Sequence, residues 1–444
     1  MPPLIRLAIA SAFLLLGAGC EPEGPAQATA PQEPAQPVER PDPFEVVTDG
    51  DTLGLPAETA RALISEDSLW AEALRIHYNA IVIDGHIDTP TLMLTRGYDL
   101  ARRHATNHVD LPRMREGGLD GAFFSIYVPA RYGDSEAATD YARRLIDEVG
   151  RQLASVPDEA QLATSAAEAR RIAKSGRAAI LLGIEGGHAL HSSPEVLREM
   201  RALGVRYVTL THVNANGWAD ASQSRPRWNG LNELGRQMIA AMNEAGVLVD
   251  LAHVSDSTFY QAVEATNAPP IVSHSSARAL TYNARNVTDD MARAVAGKGG
   301  VIMVNFFPPM VNTRLTEAVM REAYLRIDTT YGGNLRQLFA AVYATKANRG
   351  IGRASRADVV RHIDHLVRTI GIDHVGLGSD FDGARMPLGL EDVTQLPWLT
   401  YDLLKLGYSE EDLYKLLGGN ALRVLEAAET YATRVAPEPS EAQF

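Results

Sequence analysis

Residues 178–188 read AAILLGIEGGH. The run from Ala178 to Ile184 has no polar interruption, and an acid, two glycines and a histidine follow it at once. A short apolar run bounded by glycine reads as a strand. Because neither alternate set of positions is polar, both faces of that strand are covered, as in a parallel sheet packed under helices.

Outward from this stretch the same pattern recurs. Apolar, β-branched runs occupy residues 81–84, 122–128, 178–184, 207–211, 247–252, 270–273, 301–306 and 375–378. Each is followed by a polar or glycine turn and then a helical pattern. Eight buried strands separated by helix-length segments predict the α/β class and a closed TIM-like (β/α)8 barrel. Residues 307–374 are too long for one crossover and form an insertion before the last strand. It contains Pro308 and Pro309, with helices expected near 315–348 and 356–370, part of it covering the site. Extra C-terminal helices are expected near 389–406, 409–417 and 420–431, and a leading helix at 57–79.

The N-terminus reads as a targeting segment. Arg6 precedes an apolar run from Leu7 to Leu16, too short to span a bilayer permanently. Gly17-Ala18-Gly19-Cys20 follows and resembles a bacterial lipobox, although the leucine stands four rather than three residues before the cysteine. Residues 1–20 are therefore expected to be a lipoprotein-type signal peptide, with Cys20 lipidated; the alternative is an ordinary secretory signal. Residues 21–43 hold seven prolines and almost no large apolar side chain. They predict a disordered tether reaching up to roughly 70 Å as polyproline II. The barrel domain is expected over 44–434 and a flexible tail over 435–444. The expected location is the extracytoplasmic face of the cell envelope. Glu21, in place of the aspartate of inner-membrane retention, points to the outer membrane, facing the periplasm or the cell surface.

A net charge of −13 excludes nucleic acid as a partner class and argues against electrostatic docking on anionic lipid. Cys20 is the single cysteine, which excludes intrachain disulfides and thiolate metal sites. Any metal must sit on His, Asp and Glu.

Barrel enzymes gather their chemistry at the C-terminal strand ends. Here those ends carry His86 and Asp88, Glu185, His212, His253, His274, and Asp380 with Asp382. His86 and Asp88 flank one residue, so an extended segment points both to one face. His253 and His274 fall on neighbouring strands and can converge, a donor set suited to a borderline divalent cation. Either histidine alone would more often be a hydrogen-bonded core residue. A two-metal site needs an anionic bridge. The five lysines, Lys174, Lys298, Lys346, Lys405 and Lys415, lie before strands or in helical segments, which leaves Glu185 for that role.

The segments DGHIDTP, HVDLPRMREGGLDGAFFSIYVP, LLGIEGGHAL, RYVTLTHVNANGWAD, VLVDLAHVS, IVSHSSARAL, ARNVTDDM and GLGSDFDG occur in this order. Over about residues 75–430 the chain resembles the membrane (renal) dipeptidase family of dinuclear zinc peptidases. The resemblance implies two Zn2+ per chain, with His86 and Asp88 on one ion, His253 and His274 on the other, and Glu185 as bridge. It further implies hydrolysis of dipeptides, including those with a C-terminal D-residue, by a hydroxide between the ions, and a homodimer. On this reading Asp380 shuttles the proton, with Asp382 as competitor. His212 donates to the oxyanion and Arg285 clasps the substrate carboxylate; the bland alternatives are a structural histidine and a surface salt bridge. Asn214, Trp218 and Tyr127 lie in the same segments without an assigned role, and His188 reads as loop packing. Two other readings stand beside this one. One is a different metal-dependent amidohydrolase, such as an N-acyl-amino-acid deacylase or lactonase; the other is a non-catalytic envelope lipoprotein that binds peptides.

Overall fold

The computed structural model describes residues 68–312 and 354–435 of the chain. Its strands are β1 (Ile83–Ile87), β2 (Gly121–Tyr127), β3 (Ala160–Leu162), β4 (Ala178–Glu185) and β5 (Val205–Thr209), followed by β6 (Leu248–Asp250), β7 (Ile271–Ser275), β8 (Val301–Val304) and β9 (Val375–Leu377). Eight of them close into a parallel ring in the order β1-β2-β4-β5-β6-β7-β8-β9, with β9 returning to β1. This is the expected TIM-like barrel. The ninth strand, β3, was not expected. It pairs with the first residues of β4, Ala160 opposite Ala178, where β5 does not yet reach, since β5 meets β4 only from Leu182.

Helices surround the ring: α1 (Ser68–Asn79), α2 (Thr89–Arg96), α3 (Leu111–Glu116), α4 (Glu136–Ser155), α5 (Ala166–Lys174), α6 (Pro194–Ala202) and α7 (Glu233–Ala245) in the first part. After them come α8 (Asp256–Ala265), α9 (Asp289–Gly297), α10 (Pro308–Val311), α11 (Arg356–Ile370), α12 (Pro397–Lys405), α13 (Glu410–Tyr414) and α14 (Asn420–Val435). Local chemistry starts them. The side chains of Ser165, Asn232, Ser255 and Thr288 accept backbone N–H bonds at the first turns of α5, α7, α8 and α9, satisfying donors that have no partner within a helix. On α4, Ala138, Tyr141, Ala142, Leu145, Val149 and Leu153 form the buried stripe that helical periodicity predicts.

Of the insertion, α11 falls on the expected 356–370, whereas the helix expected near 315–348 lies outside the described residues. So do residues 1–67, with the signal peptide, tether and Cys20, and residues 436–444 of the tail. The leading helix is described from Ser68. After β9 the closing helices are α12, α13 and α14, with a π-helical turn at Lys415–Gly419 joining the last two.

Inside the ring, Ile83, Phe123, Leu181, Tyr207 and Met303 are fully buried in one apolar cluster. Leu422, Val424 and Leu425 of α14 belong to the same cluster, together with Ile271 and Val301 at strand beginnings. The final helix therefore plugs the N-terminal end of the barrel. Gly183, in β4, makes room for the largest of the interior side chains, because a Cβ there would fall inside the Tyr207 ring. The C-terminal strand ends are left for chemistry.

Candidate active site

The site is built around one oxygen atom. Oε1 of Glu185, the last residue of β4, lies 3.0 Å from His253 Nε2, 3.5 Å from His274 Nε2, 3.6 Å from His86 Nε2 and 3.8 Å from His212 Nε2. His253 and His274 present their Nε2 atoms to each other at 2.9 Å. Asp88 Oδ2 stands 3.7 Å from His86 Nε2, and Asp380 offers a carboxylate oxygen to the same corner. His86, Asp88, Glu185, His212, His253, His274 and Asp380, all strand-end residues singled out in the sequence, thus meet in one cup, and each imidazole turns the same nitrogen inward.

Hydrogen bonds from behind fix that orientation for two of the four rings. His86 Nδ1 meets the Tyr207 hydroxyl at 2.7 Å, and His274 Nδ1 meets Ser273 Oγ at 2.8 Å. Ser273 Oγ donates in turn to Asp250 Oδ2 (2.7 Å), which also receives Thr209 Oγ1 (2.6 Å). A ring whose Nδ1 is engaged from behind keeps Nε2 for whatever occupies the cup. Sequence reasoning missed Tyr207, Asp250, Ser273 and Thr209. The one available signal was Asp250, a carboxylate inside the otherwise apolar run of β6.

The loop after β9 is stitched to β1. Asp84 Oδ1 accepts from the backbone N–H groups of His86 (2.9 Å) and Ser379 (3.0 Å), and Asp380 N donates to the His86 carbonyl (3.1 Å). Asp380 and Asp382 both take left-handed φ of 66°, an unfavourable region for non-glycine residues. Their side chains part company. Asp382 is spent on the loop, accepting from Thr89 Oγ1 (2.6 Å) and His108 N (2.7 Å). Asp380 Oδ2 accepts from the Asn305 amide at 3.0 Å, and its carboxylate lies beside His86 and Asp88. That separates the two candidates for proton transfer on geometry. Gly383 follows at a point of contact, since a Cβ there would collide with Asp88 Oδ2.

Arg285 is not a surface residue. It is 5% exposed, donates to Ser275 Oγ (3.4 Å) and the His274 carbonyl (3.3 Å), and has no carboxylate within ion-pair distance among the described residues. Burial lowers its pKa to about 10, while Asp380 and Glu185 oppose that shift. His212 sits edge-on to Tyr127, with ring centroids 4.8 Å apart, and burial with the nearby Arg285 charge pushes its pKa down to about 3. Trp218 is wholly buried against Gly187, so it belongs to the core rather than to the cup. His188 is likewise buried in the loop after β4, as loop packing requires.

The donor set fits a divalent cation. His86 Nε2 and Asp88 Oδ1 are buried without a hydrogen-bond partner among the described residues. His253 and His274 are held neutral by burial, the form in which imidazole binds metal. Three interlocking groups have ligand atoms close enough to share an ion: His86, Glu185 and His274; Glu185, His212 and His253; His86, Asp88 and Asp380.

The sequence model of the membrane dipeptidase family, peptidase family M19, matches residues 70–438. The chain belongs to that family. A dipeptidase of Aspergillus terreus is 35% identical over 392 residues, covering 81% of this chain and 87% of that protein. A probable dipeptidase of Pseudomonas aeruginosa superposes with a TM-score of 0.74 at 27% identity, over 83% of this chain and all of that one. A metallopeptidase of Rhodobacter sphaeroides, solved with a phosphinate mimic of the dipeptide L-Ala-D-Ala, superposes with a TM-score of 0.65 at 26% identity, over 79% of this chain and 99% of that one.

Proposed function

We propose that this member of the M19 family hydrolyses dipeptides, including those with a C-terminal D-residue, using two zinc ions per chain. One observation carries the reading: a single buried glutamate oxygen, Glu185 Oε1, stands 3.0–3.8 Å from four inward-facing imidazole nitrogens. His86 and Asp88 would hold one ion, His253 and His274 the other, with Glu185 between them. Nitrogen and carboxylate donors without thiolate suit zinc. Bound there, such a pair supplies an acidified water and polarises the scissile carbonyl.

The chain's own groups do the rest. Arg285, buried and free of carboxylate ion pairs among the described residues, takes the substrate's C-terminal carboxylate. His212, neutral and beside Glu185, donates to the oxygen that gains charge as the carbonyl is attacked. Asp380, held by Asn305 on one oxygen, moves the proton from the attacking water to the departing amine. The Rhodobacter relative's complex supports both the dipeptide substrate and tolerance of a D-residue.

The N-terminal reading completes the proposal: an enzyme anchored through lipidated Cys20 at the outside of the envelope, working as a homodimer. The test is hydrolysis of an L,L- and L,D-dipeptide panel by the full chain, zinc-loaded, chelated, and reloaded. Cleavage that vanishes with the metal and returns with zinc is expected. A dimetallic, folded protein that cleaves N-acyl-amino acids and no dipeptide would overturn the reading in favour of a deacylase.

A further inference from the structure

The loop that leaves β5 doubles back over the end of β6. Ser222 N donates to the His253 carbonyl at 2.8 Å, Ala221 forms an antiparallel bridge with Val254, and Ala215 N donates to Ser224 Oγ at 2.9 Å. These bonds draw residues 214–215 and 221–224 together next to the cup, the first pair following His212 in the chain and the second set lying against the backbone of His253 and Val254.

Polar atoms on this wall are not satisfied. Asn214 Oδ1, Ser222 Oγ and both Oε1 and Nε2 of Gln223 are buried and have no hydrogen-bond partner among the described residues. Elsewhere in the loop Trp218 Nε1 is also buried without a partner among the described residues, whereas Asp220 and Asn216 are engaged. Asp220 accepts from the backbone N–H groups of Arg227, Trp228 and Gly230. Asn216 uses both ends of its amide, donating to the Leu210 carbonyl (2.8 Å) and accepting from Trp218 N (3.0 Å) and Ala219 N (2.9 Å). Folded chains rarely leave a buried carboxamide unbonded at both ends. Where they do so beside a substrate cup, a ligand group that completes the bonds is the natural partner.

We propose that Gln223, with Asn214 beside it, is a specificity-determining residue that selects dipeptides carrying a carboxamide side chain. The inference rests on the dipeptidase reading and names the substrate class for that same site. A carboxamide offers one donor and one acceptor and can meet Gln223 Oε1 and Nε2 together. A lysine side chain would satisfy Oε1 alone. An acidic one would satisfy Nε2 alone and leave Oε1 unbonded. A hydrocarbon or thioether of equal length leaves both ends unbonded, and a site built to hydrogen-bond its substrate rejects an analogue lacking the group.

The test compares substrates matched in length on the zinc-loaded full chain: Gly-Gln against Gly-Met, and Gln-Gly against Met-Gly. The readout is the ratio of kcat/KM within each pair, so that partial loss of folding or metal in a variant cancels. The amide is expected to win by about tenfold or more at one of the two positions, mainly through KM. Gln223→Met should bring that ratio close to one, and Gln223→Glu should shift preference toward Gly-Lys or Lys-Gly. A wild-type ratio near one at both positions overturns the inference, as does a preference that survives Gln223→Met. Failure to cleave any dipeptide while holding its metal would sink the dipeptidase reading itself, and this inference with it.

Discussion

Asp380 and Asp382 differ by two positions and share an unusual backbone angle, yet only one of them faces the imidazoles. If Asp380 moves the proton, Asp380→Asn should lower kcat by roughly 10²–10⁴-fold. Zinc content, measured by elemental analysis, should stay near the wild-type value. An Asn variant with full turnover would remove the assignment. Arg285 is a second case in which shape matters beyond charge. Arg285→Lys keeps the cation but loses the planar fork, so KM for dipeptides should rise about tenfold or more with a smaller change in kcat. An unchanged KM would mean that the carboxylate is bound elsewhere. His86, Glu185, His253 and His274 were legible in the sequence because each falls at the end of a recognisable strand, and strand ends share one rim. Tyr207 was not legible. It stands in an apolar strand where an aromatic residue needs no explanation, and only the folded ring brings its hydroxyl to His86 from 121 residues away. Gln223 was hidden for a different reason, since a loop's return path leaves no periodic trace.

At the scale of elements, strands and helices carried different amounts of signal. The ring strands are buried along nearly all their length, the apolar run is continuous through most of β4 and all of β8, and the helix at 356–370 has a clear apolar stripe. The strand β3 is three residues long, and no pattern of period two can be read from Ala160-Gln161-Leu162. Gly183 shows how one element constrains the next. Gly183→Ala would push β4 into the Tyr207 ring, at an expected cost of about 1–3 kcal/mol, seen as a lower unfolding midpoint. Because Tyr207 supports His86, zinc affinity should fall as well. The helix α11 carries a pH dependence. His362 is 1% exposed, accepts from Ala277 N at 3.0 Å through Nδ1 and faces the Val311 carbonyl at 3.2 Å through Nε2. Burial pushes its pKa down to about 4. The unfolded chain takes up that proton below about 6.5. The contribution of the neutral ring is therefore complete above that pH and is lost as pH falls toward 4, by up to about 3 kcal/mol. Chelated protein, melted at pH 7 and at pH 4.5, should show this loss. His362→Gln, which keeps a donor and an acceptor, should show a shallower slope.

For the whole molecule, metal and stability are linked. Ions that bind only the folded cup stabilise it by about 2.7 kcal/mol per site at a free concentration one hundred times Kd. Chelation should therefore lower the midpoint of thermal unfolding by several degrees, and zinc should restore it. Equal midpoints with and without zinc would show that the cup does not bind the metal. The fold and the clustering of His, Asp and Glu at one rim were legible at this scale because a closed barrel needs a fixed number of strands and offers one rim for chemistry. The closure at the far end was legible only as helices, and only the folded chain shows α14 as a plug, with Leu422 and Leu425 in the same buried cluster as Phe123 and Tyr207. That plug divides the labour of the chain. Substitutions around α14 act on whether the molecule persists, and substitutions on the rim loops act on what it recognises. A population of variants drifting at the rim can thus explore new substrates while the opposite end keeps them folded, which makes this chain a favourable starting point for directed evolution of peptide selectivity.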